Sequence, residues 1–484
     1  MEHLKTFISK FKNKKILILG DLMLDEHIWS KVSRISPEAP VPIAAVQSIS
    51  LVPGGCGNVA ANVKTLGGTP IILSVIGKDS SGTKLITALK KLKISTKHIL
   101  VDNVRPTILK SRIIANSQQV VRVDRENKEK IEKNTQKRVL AAIKKLIRQC
   151  DAVVISDYGK GMVTPELAQS AIRLAKKYKK PITVDPKGTD YRKYRSATII
   201  TPNLKEAKEA TKIFEDSDAA ILNMGKQLLA KNKTKYILIT RGKDGMSLFS
   251  STSKARRIQA VPREVFDITG AGDTVIATLT LALSTGAEIL DATTLANFAA
   301  SVAISKIGTT PVAASELKER LQEHSFISQK VRNRKDLSKL VNQLKESGKT
   351  IVFTNGCFDL LHLGHVRYLK EAKKLGDILI IGLNSDASVK KLKGAGRPYT
   401  GQLERAEILA ALEPVDYVTI FAESTPLELL KVVKPHVHVK GGDYQKGNLP
   451  EAKIVQRNGG KVVVVSLIKG KSTTKLIEKV RRGK

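Results

Sequence analysis

The sequence predicts an α/β protein made of two successive domains. Short apolar segments alternate with amphipathic helical segments, which is typical of a mostly parallel sheet with helices on both faces. This alternation stops near residue 319 and resumes at Thr350, and 484 residues are too many for one domain. We therefore expect a first domain at 1–320, a basic linker and helix at 321–349, and a small doubly wound domain at 350–484.

Six apolar segments are the expected strands of the first sheet: KKILILGD, PIILSVIG, CDAVVISDYG, PITVDP, SATIITPN and KYILITRG. Residues 165–180 and 223–231 have helical spacing, and the uncharged stretch 274–287 predicts a buried helix. Residues 35–52 and 107–124 instead predict extended antiparallel strands that form a small β-lid on the sheet.

The second domain has five expected strands, which are TIVFTNG, DILIIGLN, YVTIF, HVHVKGG and KVVVVS. Five strands in this length fit a small doubly wound sheet. Its motifs differ from those of the first domain, which indicates a fusion and not a duplication.

The charge balance is the unusual feature of the composition, because 83 Lys and Arg against 45 Asp and Glu leave a net charge of +38. Nucleic acid, anionic membranes and phosphorylated small molecules are the partners that such a charge admits. Aromatic residues make up only 4%, which disfavours base stacking. Three scattered cysteines form no disulfide framework or zinc motif, and no 18-residue apolar run is present, so we expect a cytoplasmic protein without a transmembrane helix.

The segment DITGAGDTVIATLTLAL carries the strongest signal of the first domain. The glycines at Gly270 and Gly272, with Ala271 between them, point backbone N–H groups at the start of a helix and predict an anion site. Asp273 in the first turn suits a general base that takes a proton from a sugar hydroxyl during phosphoryl transfer. The alternative is a plain N-cap carboxylate.

Three further features of the first domain point to a ligand site. Gly54, Gly55 and Asn58 open a helix, where glycines allow close approach and the amide offers hydrogen bonds to hydroxyls. Asp21 ends the first strand, at the edge where open α/β sheets bind ligands. Asn203 and Glu206 follow another strand at a three-residue spacing, which fits phosphate or Mg²⁺ binding and equally fits a capping box.

The GGCGN segment, the NxxE pair and the TGAGD signature, in this order, resemble the ribokinase-like family of sugar kinases over about residues 10–320. The resemblance implies Asp273 as the catalytic base and Gly270, Ala271 and Gly272 as the anion hole. It also implies nucleotide and phosphate contacts at Asn203, Leu204, Lys205, Glu206, Thr240, Gly242, Gly245 and Asn297, with Glu206 at Mg²⁺ through water. The sugar-binding residues implied are Asp21, Gly54, Gly55, Asn58, Asp185 and Lys187, of which Lys187 faces a phosphate on the sugar or is a solvated surface charge.

The second domain places His362 and His365 one helical turn apart after a strand and a glycine turn. Two imidazoles at a helix N-terminus can donate hydrogen bonds to phosphate oxygens and stabilise charge on a nucleotide α-phosphate. A metal site with Asp359 and Cys357, or two incidental histidines, are the alternatives.

NGCFD followed by HLGH resembles the cytidylyltransferase-like nucleotidyltransferases, which use both histidines as phosphate ligands. The nucleotide-binding residues that this implies are Asn355, Gly356, Cys357, Phe358, Asp359, Lys393, Asp443, Ser472, Thr473 and Thr474. The family arginine before the last three has no equivalent, since Leu467 stands there, and Lys471 replaces the family isoleucine.

Nearly the whole chain resembles the family of bacterial bifunctional heptose kinase/adenylyltransferases, through segments such as ISPEAPVP, DPKGTDYRKYR, TPNLKE and KGGDY. The resemblance implies ATP-dependent phosphorylation of D-glycero-β-D-manno-heptose 7-phosphate at C1, with Mg²⁺. It further implies adenylyl transfer to the heptose 1-phosphate, which gives ADP-heptose for the lipopolysaccharide inner core.

The same resemblance implies a separate phosphatase for the C7 phosphate. Lids of this kind pair between subunits in related kinases, so a homodimer is expected. No nucleic-acid partner and no stable membrane association are expected. The alternatives are another sugar phosphate or CTP as substrate and, more remotely, a basic nucleic-acid-binding protein.

Overall fold

The computed structural model describes residues 2–116, 118–261, 265–306, 308–394, 396–442 and 450–465, with the backbone alone at 325–328. The chain divides into two compact units, Met1–Leu321 and Gln322–Lys484. The finer division into domains and a linker at 321–349 stays a prediction.

The first unit contains the elements α1 (Glu2–Ser9), β1 (Lys15–Gly20), β2 (Leu22–Ile35), β3 (Pro42–Gly55), α2 (Cys56–Thr65), β4 (Thr69–Gly77), α3 (Ser80–Lys91), β5 (Ile99–Asp102), β6 (Ile108–Ala115), β7 (Gln118–Arg125), α4 (Lys133–Leu146), β8 (Ala152–Ser156), α5 (Pro165–Lys177), β9 (Ile182–Asp185), β10 (Ile199–Ile200), α6 (Leu204–Thr211), α7 (Asp218–Asn232), β11 (Tyr236–Thr240), β12 (Met246–Ser250), β13 (Arg256–Ile258), α8 (Ala271–Ser284) and α9 (Ile289–Ala303). The next helix, α10 (Ala314–Lys330), contains the boundary between the units.

The main sheet of the first unit has nine strands in the order β13-β12-β11-β10-β9-β8-β1-β4-β5. Strands β11 to β5 pair in parallel, and β12 and β13 are antiparallel additions at one edge. The chain builds outward in both directions from β1, so the carboxyl ends of β1 and β8 flank the point where ligands bind in open α/β sheets.

Two hydrophobic cores cover the faces of this sheet, because successive side chains of a strand point to opposite faces. Ile16 and Ile18 of β1 join one core, which includes α8 and α9. Leu17 and Leu19 join the other, which includes α4, α5 and α7. Residues 273–282 of α8 are all buried, which confirms the predicted buried helix.

A separate four-stranded sheet, β3-β2-β6-β7, forms the lid. Strands β2 and β3 pair antiparallel, as do β6 and β7, and the two hairpins join through the parallel pair β2–β6. The fully antiparallel arrangement that we expected is therefore wrong at this central pair. Residues 22–35 were not among the predicted strands, because their apolar and charged residues follow no single period.

The second unit contains α11 (Arg334–Glu346), β14 (Ile351–Gly356), α12 (Leu363–Lys373), β15 (Ile378–Asn384), α13 (Asp386–Lys393), α14 (Gln402–Ala411), β16 (Tyr417–Phe421), α15 (Leu427–Val433), β17 (Val437–Gly441), α16 (Pro450–Arg457) and β18 (Lys461–Val465). All five strands pair in parallel in the order β16-β15-β14-β17-β18, which confirms the doubly wound sheet. The switch point lies between β14 and β17.

Candidate active sites

Asp273 lies in the first turn of α8, directly after a glycine in the left-handed region. Gly270 has φ 78°, and its carbonyl accepts hydrogen bonds from the backbone N–H and the hydroxyl of Thr274. A Cβ atom at position 270 would lie 2.7 Å from the Asn58 side-chain nitrogen. Glycine is thus required here both for its conformation and for the close approach of Asn58.

Two side-chain donors hold the Asp273 carboxylate. Asn58 Nδ2 donates to Oδ2 at 2.8 Å, and the Tyr158 hydroxyl donates to Oδ1 at 2.8 Å. Burial raises the pKa of Asp273 from its ordinary 3.8 to about 6, although both hydrogen bonds act in the opposite direction. The carboxylate is therefore oriented and has the proton affinity of a base that works near neutral pH.

Tyr158 was not among the predicted site residues. It lies two residues after β8, in the DYGKG segment, and burial followed by the nearby Asp273 charge raises the pKa of its phenol well above the usual value. The phenol therefore stays protonated and acts as a donor. Its place just beyond a buried parallel strand, at the ligand edge of the sheet, is the signal that could have identified it.

Asp21 is buried, and its carboxylate binds the loop that carries Tyr158. It accepts hydrogen bonds from the backbone N–H groups of Tyr158 at 2.9 Å, Lys160 at 3.1 Å and Met162 at 3.1 Å. Burial raises its pKa, with the Asp157 charge adding to the effect. The predicted sugar contact is thus also the residue that shapes the 158–162 loop.

The two glycines at the end of β3 lie against the start of the lid. Gly55 has φ 58°, and the backbone N–H of Cys56 after it donates to the Asp21 carbonyl at 3.0 Å. A Cβ atom at Gly54 would lie 2.0 Å from Oδ2 of Asp25, whose other oxygen accepts from Arg112 at 2.6 Å. These glycines bring β2, β3 and α2 together beside the site.

Asn203 and Glu206 form a reciprocal capping box at the start of α6. The Glu206 N–H donates to Asn203 Oδ1 at 2.9 Å, and the Asn203 N–H donates to Glu206 Oε2 at 3.1 Å. Lys187 Nζ donates to the remaining oxygen, Oε1, at 2.9 Å. The capping box that we gave as the alternative is therefore present. In addition, Glu206 lies beside a cation, the ammonium group of Lys187.

Asp185 ends β9 near these groups. Burial, followed by the charges of Asp273 and Glu206, raises its pKa well above the usual value. This environment therefore favours the neutral form of the carboxyl group, and a nearby cation or hydrogen-bond donor would favour the ionised form.

The residues expected to bind the nucleotide lie at the end of β11, in the turn after it, and on the helices α6 and α9. Thr240 ends β11, its N–H donates to the Pro202 carbonyl at 3.0 Å, and it forms a parallel bridge with Asn203. Gly242 and Gly245 flank the next turn with φ 58° and 81°. Asn297 lies on α9, where its side chain donates to the Gln259 carbonyl at 2.7 Å. Leu204 and Lys205 begin α6.

In the second unit, His362 is the N-cap of α12, and its Nδ1 accepts from the Gly364 N–H at 3.1 Å. An accepting Nδ1 places the proton of the neutral ring on Nε2. The ring of His365 stacks on that of His362, with centroids 4.0 Å apart and planes 25° apart. The structure thus brings both predicted histidines into one stacked pair at a helix N-terminus.

His365 is half-buried and packs against Phe358, with ring centroids 5.3 Å apart. Burial lowers its pKa to about 4, and the charges of His362 and Lys393 act in the same direction. Its buried Nδ1 has no hydrogen-bond partner within the described ranges. An imidazole of this kind is neutral at pH 7, with a polar atom that a ligand can satisfy.

Residues at the switch point link β14 and β17. Lys440 Nζ donates to Asn355 Oδ1 at 3.0 Å and to Glu451 at 2.8 Å. A Cβ atom at Gly356 would lie 3.0 Å from the Phe358 ring. The predicted residues Asn355, Gly356 and Phe358 thus lie together at the carboxyl end of β14.

The carboxylate of Asp359 is occupied by a second loop. It accepts from the N–H groups of Tyr399 at 2.7 Å and Thr400 at 3.2 Å, and forms an ion pair with Arg397 at 2.6 Å. Arg405, which we did not predict, is fully buried and donates to the carbonyl of Cys357 at 2.5 Å. Asp359 therefore connects the loop after β14, in which it lies, to residues 397–400.

Arg405 also donates to the Thr400 carbonyl at 2.9 Å and to Asp386 at 2.7 Å. Burial raises the pKa of Cys357, whose sulfur lies 4.0 Å from Asn384 Oδ1. Lys393 is exposed at the end of α13. Asp443, Ser472, Thr473 and Thr474 lie outside the described residues.

Two kinds of feature, a metal-binding cluster and a membrane-spanning helix, were not found in the described part of the chain. No three His, Cys, Asp or Glu side chains in it are grouped so as to hold a metal ion, so the metal alternative at the histidine pair gains no support. In the same part, no helix combines the length and the apolar character that crossing a membrane requires.

Family models match both halves of the chain. Residues 13–317 match the pfkB family carbohydrate kinases, and residues 353–478 match the cytidylyltransferase-like family. Two curated relatives are named bifunctional protein HldE. That of Pelobacter propionicus is 43% identical over 99% of this chain and 98% of its own length, and that of Aliarcobacter butzleri is 44% identical over 97% and 98%.

Solved structures similar to the first unit show its fold. Arabidopsis thaliana ribokinase, complexed with ribose and ATP, has a TM-score of 0.52 at 18% identity and covers 64% of this chain and 99% of its own. Escherichia coli phosphofructokinase-2, in complex with potassium, has a TM-score of 0.53 at 17% identity and covers 65% and 99%. The predicted ribokinase-like fold is thus confirmed. By the length and identity of the matches to the two curated HldE relatives, the chain belongs to the bifunctional HldE family and unites a carbohydrate kinase with a nucleotidyltransferase.

Proposed function

We propose that the first unit phosphorylates D-glycero-β-D-manno-heptose 7-phosphate at C1 and that the second transfers adenylyl from ATP to the heptose 1-phosphate. The observation that carries the kinase half is the Asp273 carboxylate, held by Asn58 and Tyr158 at the start of α8. The sugar and the nucleotide are taken from the sequence resemblance to heptose kinase/adenylyltransferases, which the full-length HldE relatives support.

In the kinase reaction, the C1 hydroxyl oxygen forms a bond to the γ-phosphorus of ATP, and the bond to the β-phosphate oxygen breaks. Asp273 takes the hydroxyl proton, for which a pKa of about 6 is well suited. In this proposal the backbone N–H groups of Gly270 and Gly272 face the charge that develops on the transferred group, whereas the Ala271 N–H, which we expected to join them, donates to the Ile268 carbonyl at 3.3 Å. Asp21 and Asn58 bind the sugar, with Gly54 and Gly55 leaving room for it.

Mg²⁺ accompanies ATP in this proposal. Glu206 fits an outer-sphere ligand, since each carboxylate oxygen keeps a lone pair beyond its bonds to Lys187 and Asn203. When bound, the ion would neutralise phosphate charge. Lys187 is placed beside Glu206 to meet an anionic group, and Thr240, Gly242, Gly245 and Asn297 line the nucleotide.

In the transferase reaction, an oxygen of the sugar 1-phosphate forms a bond to the α-phosphorus of ATP, and pyrophosphate leaves. His362 and His365 donate hydrogen bonds to phosphate oxygens and stabilise the charge in the transition state. The helix N-terminus favours the same anion. The residues that hold or border the nucleotide in this proposal are Asn355, Gly356, Cys357, Phe358, Asp359, Lys393, Asp443, Ser472, Thr473 and Thr474.

The two reactions are not directly consecutive, because the kinase product carries a C7 phosphate that the transferase substrate lacks. A separate bisphosphate phosphatase must therefore act between them. We place the enzyme in the cytoplasm, where ATP is available, in the synthesis of ADP-heptose for lipopolysaccharide.

The test is a staged incubation of the full-length chain. With ATP, Mg²⁺ and heptose 7-phosphate, the 1,7-bisphosphate should form. After a phosphatase specific for C7 is added, ADP-heptose and pyrophosphate should appear. Parallel reactions with CTP and with other sugar phosphates serve as controls, and a preference for one of these would overturn the substrate assignment.

We also propose a homodimer formed through the lid. Ile49, Ile28, Ile113 and Val121 are directly paired across its four strands and therefore share a face, with Ile49 56% and Val121 44% exposed. An exposed apolar face of this kind is typical of a protein interface. Sedimentation should give about twice the 52.8 kDa chain mass at micromolar concentration, and a mass near 53 kDa would argue against pairing.

A further inference from the structure

Lys110 on lid strand β6 is a half-buried cation without an anionic partner. Its ammonium lies 5.9 Å from the centre of the Tyr158 ring, and within the described residues it forms no hydrogen bond or ion pair. Because Tyr158 donates to Asp273, its side chain connects Lys110 with the proposed base. A half-buried ammonium gains strongly from a bound anion.

The carboxylates nearest to Lys110 are already bound to arginines. Asp25 and Asp124 are its direct cross-strand neighbours and share its face of the lid. Asp25 accepts from Arg112 at 2.6 Å, and Asp124 accepts from Arg122 at 2.8 and 3.0 Å. Neither carboxylate is within ion-pair distance of Lys110.

The other cations around Lys110 are held in ion pairs. Lys160, the remaining cation beside Lys110, pairs with Glu126 at 2.5 Å. With Asp273, whose pKa the Lys110 charge lowers, the group has four cations and four carboxylates, and Lys110 is the cation in it that pairs with no described carboxylate. Burial lowers the pKa of Lys110, and the charges of Lys160 and Arg122 add to that effect while Asp25 and Asp124 oppose it. An arriving dianion would relieve this repulsion and stabilise the charged ammonium.

We propose that Lys110 binds the phosphate that the sugar substrate already carries, at the end remote from the attacking hydroxyl. This inference rests on the proposed kinase function and deepens it. The substrate must place its hydroxyl at Asp273, and Lys110 lies over the ring of Tyr158, whose hydroxyl contacts Asp273, where it can meet the other end of the sugar. Lys187 is a weaker candidate for this phosphate because Glu206 already holds its ammonium.

The test compares Lys110→Met and Lys110→Arg in the full-length chain. Kinase kcat/KM is measured for heptose 7-phosphate and for the same heptose without phosphate. Loss of a charge-assisted contact should lower the preference for the phosphorylated sugar by about 10- to 100-fold in Lys110→Met. Lys110→Arg should restore most of that preference. Lys31→Met, at an exposed lysine on strand β2 of the same lid, is the matched control.

Calorimetric titration with heptose 7-phosphate in the absence of ATP gives a second readout that needs no turnover. Weaker binding by Lys110→Met, with an unchanged KM for ATP, supports the subsite. An equal loss with both sugars, or a raised KM for ATP, overturns it in favour of a structural or nucleotide role. If the native chain binds the sugar phosphate through Lys110 but forms no bisphosphate, the proposed function fails and the subsite stands. If the native chain binds no sugar phosphate, the subsite fails.

Discussion

The starts of α8 and α12 bury an ionisable side chain in the first helical turn, with opposite consequences. Burial favours the neutral form in both, so it raises the pKa of Asp273 to about 6 and lowers that of His365 to about 4. At pH 7 the carboxylate is still mostly ionised and can take a proton, whereas the imidazole is neutral, with one nitrogen that donates a hydrogen bond and one that accepts. One physical effect thus suits one site to the proton transfer and the other to the charge stabilisation that we propose.

The two sites also differ in the contacts that hold the ionisable side chain in place. Asp273 is fixed by donors from two distant segments, Asn58 and Tyr158. His365 is fixed by ring packing, and its buried Nδ1 lacks a partner within the described ranges. The carboxylate of Asp273 is therefore oriented by the protein alone, while His365 keeps a buried acceptor or donor nitrogen without a described protein partner.

The largest expected effect comes from Asp273→Asn. It removes the proton acceptor and keeps the shape, so kinase kcat should fall about 10²- to 10⁴-fold. Adenylyl transfer by the same protein should stay within about twofold of native, because Asp273 belongs to the first unit. Both rates are measured on one preparation, and a kinase near full rate would exclude Asp273 as the base.

His365→Ala should produce the reverse pattern. Loss of one donor to the transition state should lower the transferase rate about 10²- to 10³-fold and leave the kinase intact. His436→Ala is the matched control, since His436 accepts from the Ile351 N–H at 2.8 Å and lies before β17. Similar losses in the two variants would indicate a structural role for His365.

Tyr158→Phe removes one donor from the ionised carboxylate of Asp273. The pKa of Asp273 should rise above about 6, which moves the acidic limb of the kinase pH profile to higher pH. At pH 7 kcat/KM should fall about tenfold or more, with a smaller loss at higher pH. Tyr178→Phe, at a partly buried tyrosine whose hydroxyl accepts from Arg148 at 2.8 Å, is the control. A uniform loss at every pH would contradict the positioning role.

The native enzyme should show the contrast without substitution. Kinase kcat/KM should fall about tenfold between pH 7 and pH 5, since protonation of Asp273 at about 6 removes the base. His365 has a pKa of about 4 and should impose no such fall on the transferase over that range. Parallel profiles in the two assays would contradict these assignments.

The apolar strands of both sheets were predictable because each is a short buried run that ends at a polar turn. Strand β2 was not, since it leaves the core after Leu24 and its exposed part mixes charged and apolar residues. Its parallel pairing with β6 joins residues more than 80 positions apart, such as Asp25 and Lys110, and no local pattern encodes it.

The proposed base and the histidine pair were likewise predictable from local motifs. The residues that support them were not, because their contacts are long-range. Asp21 binds a loop 137 residues away, and Arg405 reaches Cys357 across 48 residues. Asn203 and Glu206 show a further limit of prediction from sequence. Their three-residue spacing fits a capping box and a phosphate-binding pair equally well.

The first hairpin of the lid joins the proposed sugar site at both of its ends. β2 begins directly after Asp21, β3 ends at Gly55, and the Cys56 N–H after it donates to the Asp21 carbonyl at 3.0 Å. Both chain connections of this hairpin to the main sheet and α2 run through these residues. A change in the position of the hairpin would therefore alter the geometry of the proposed sugar contacts.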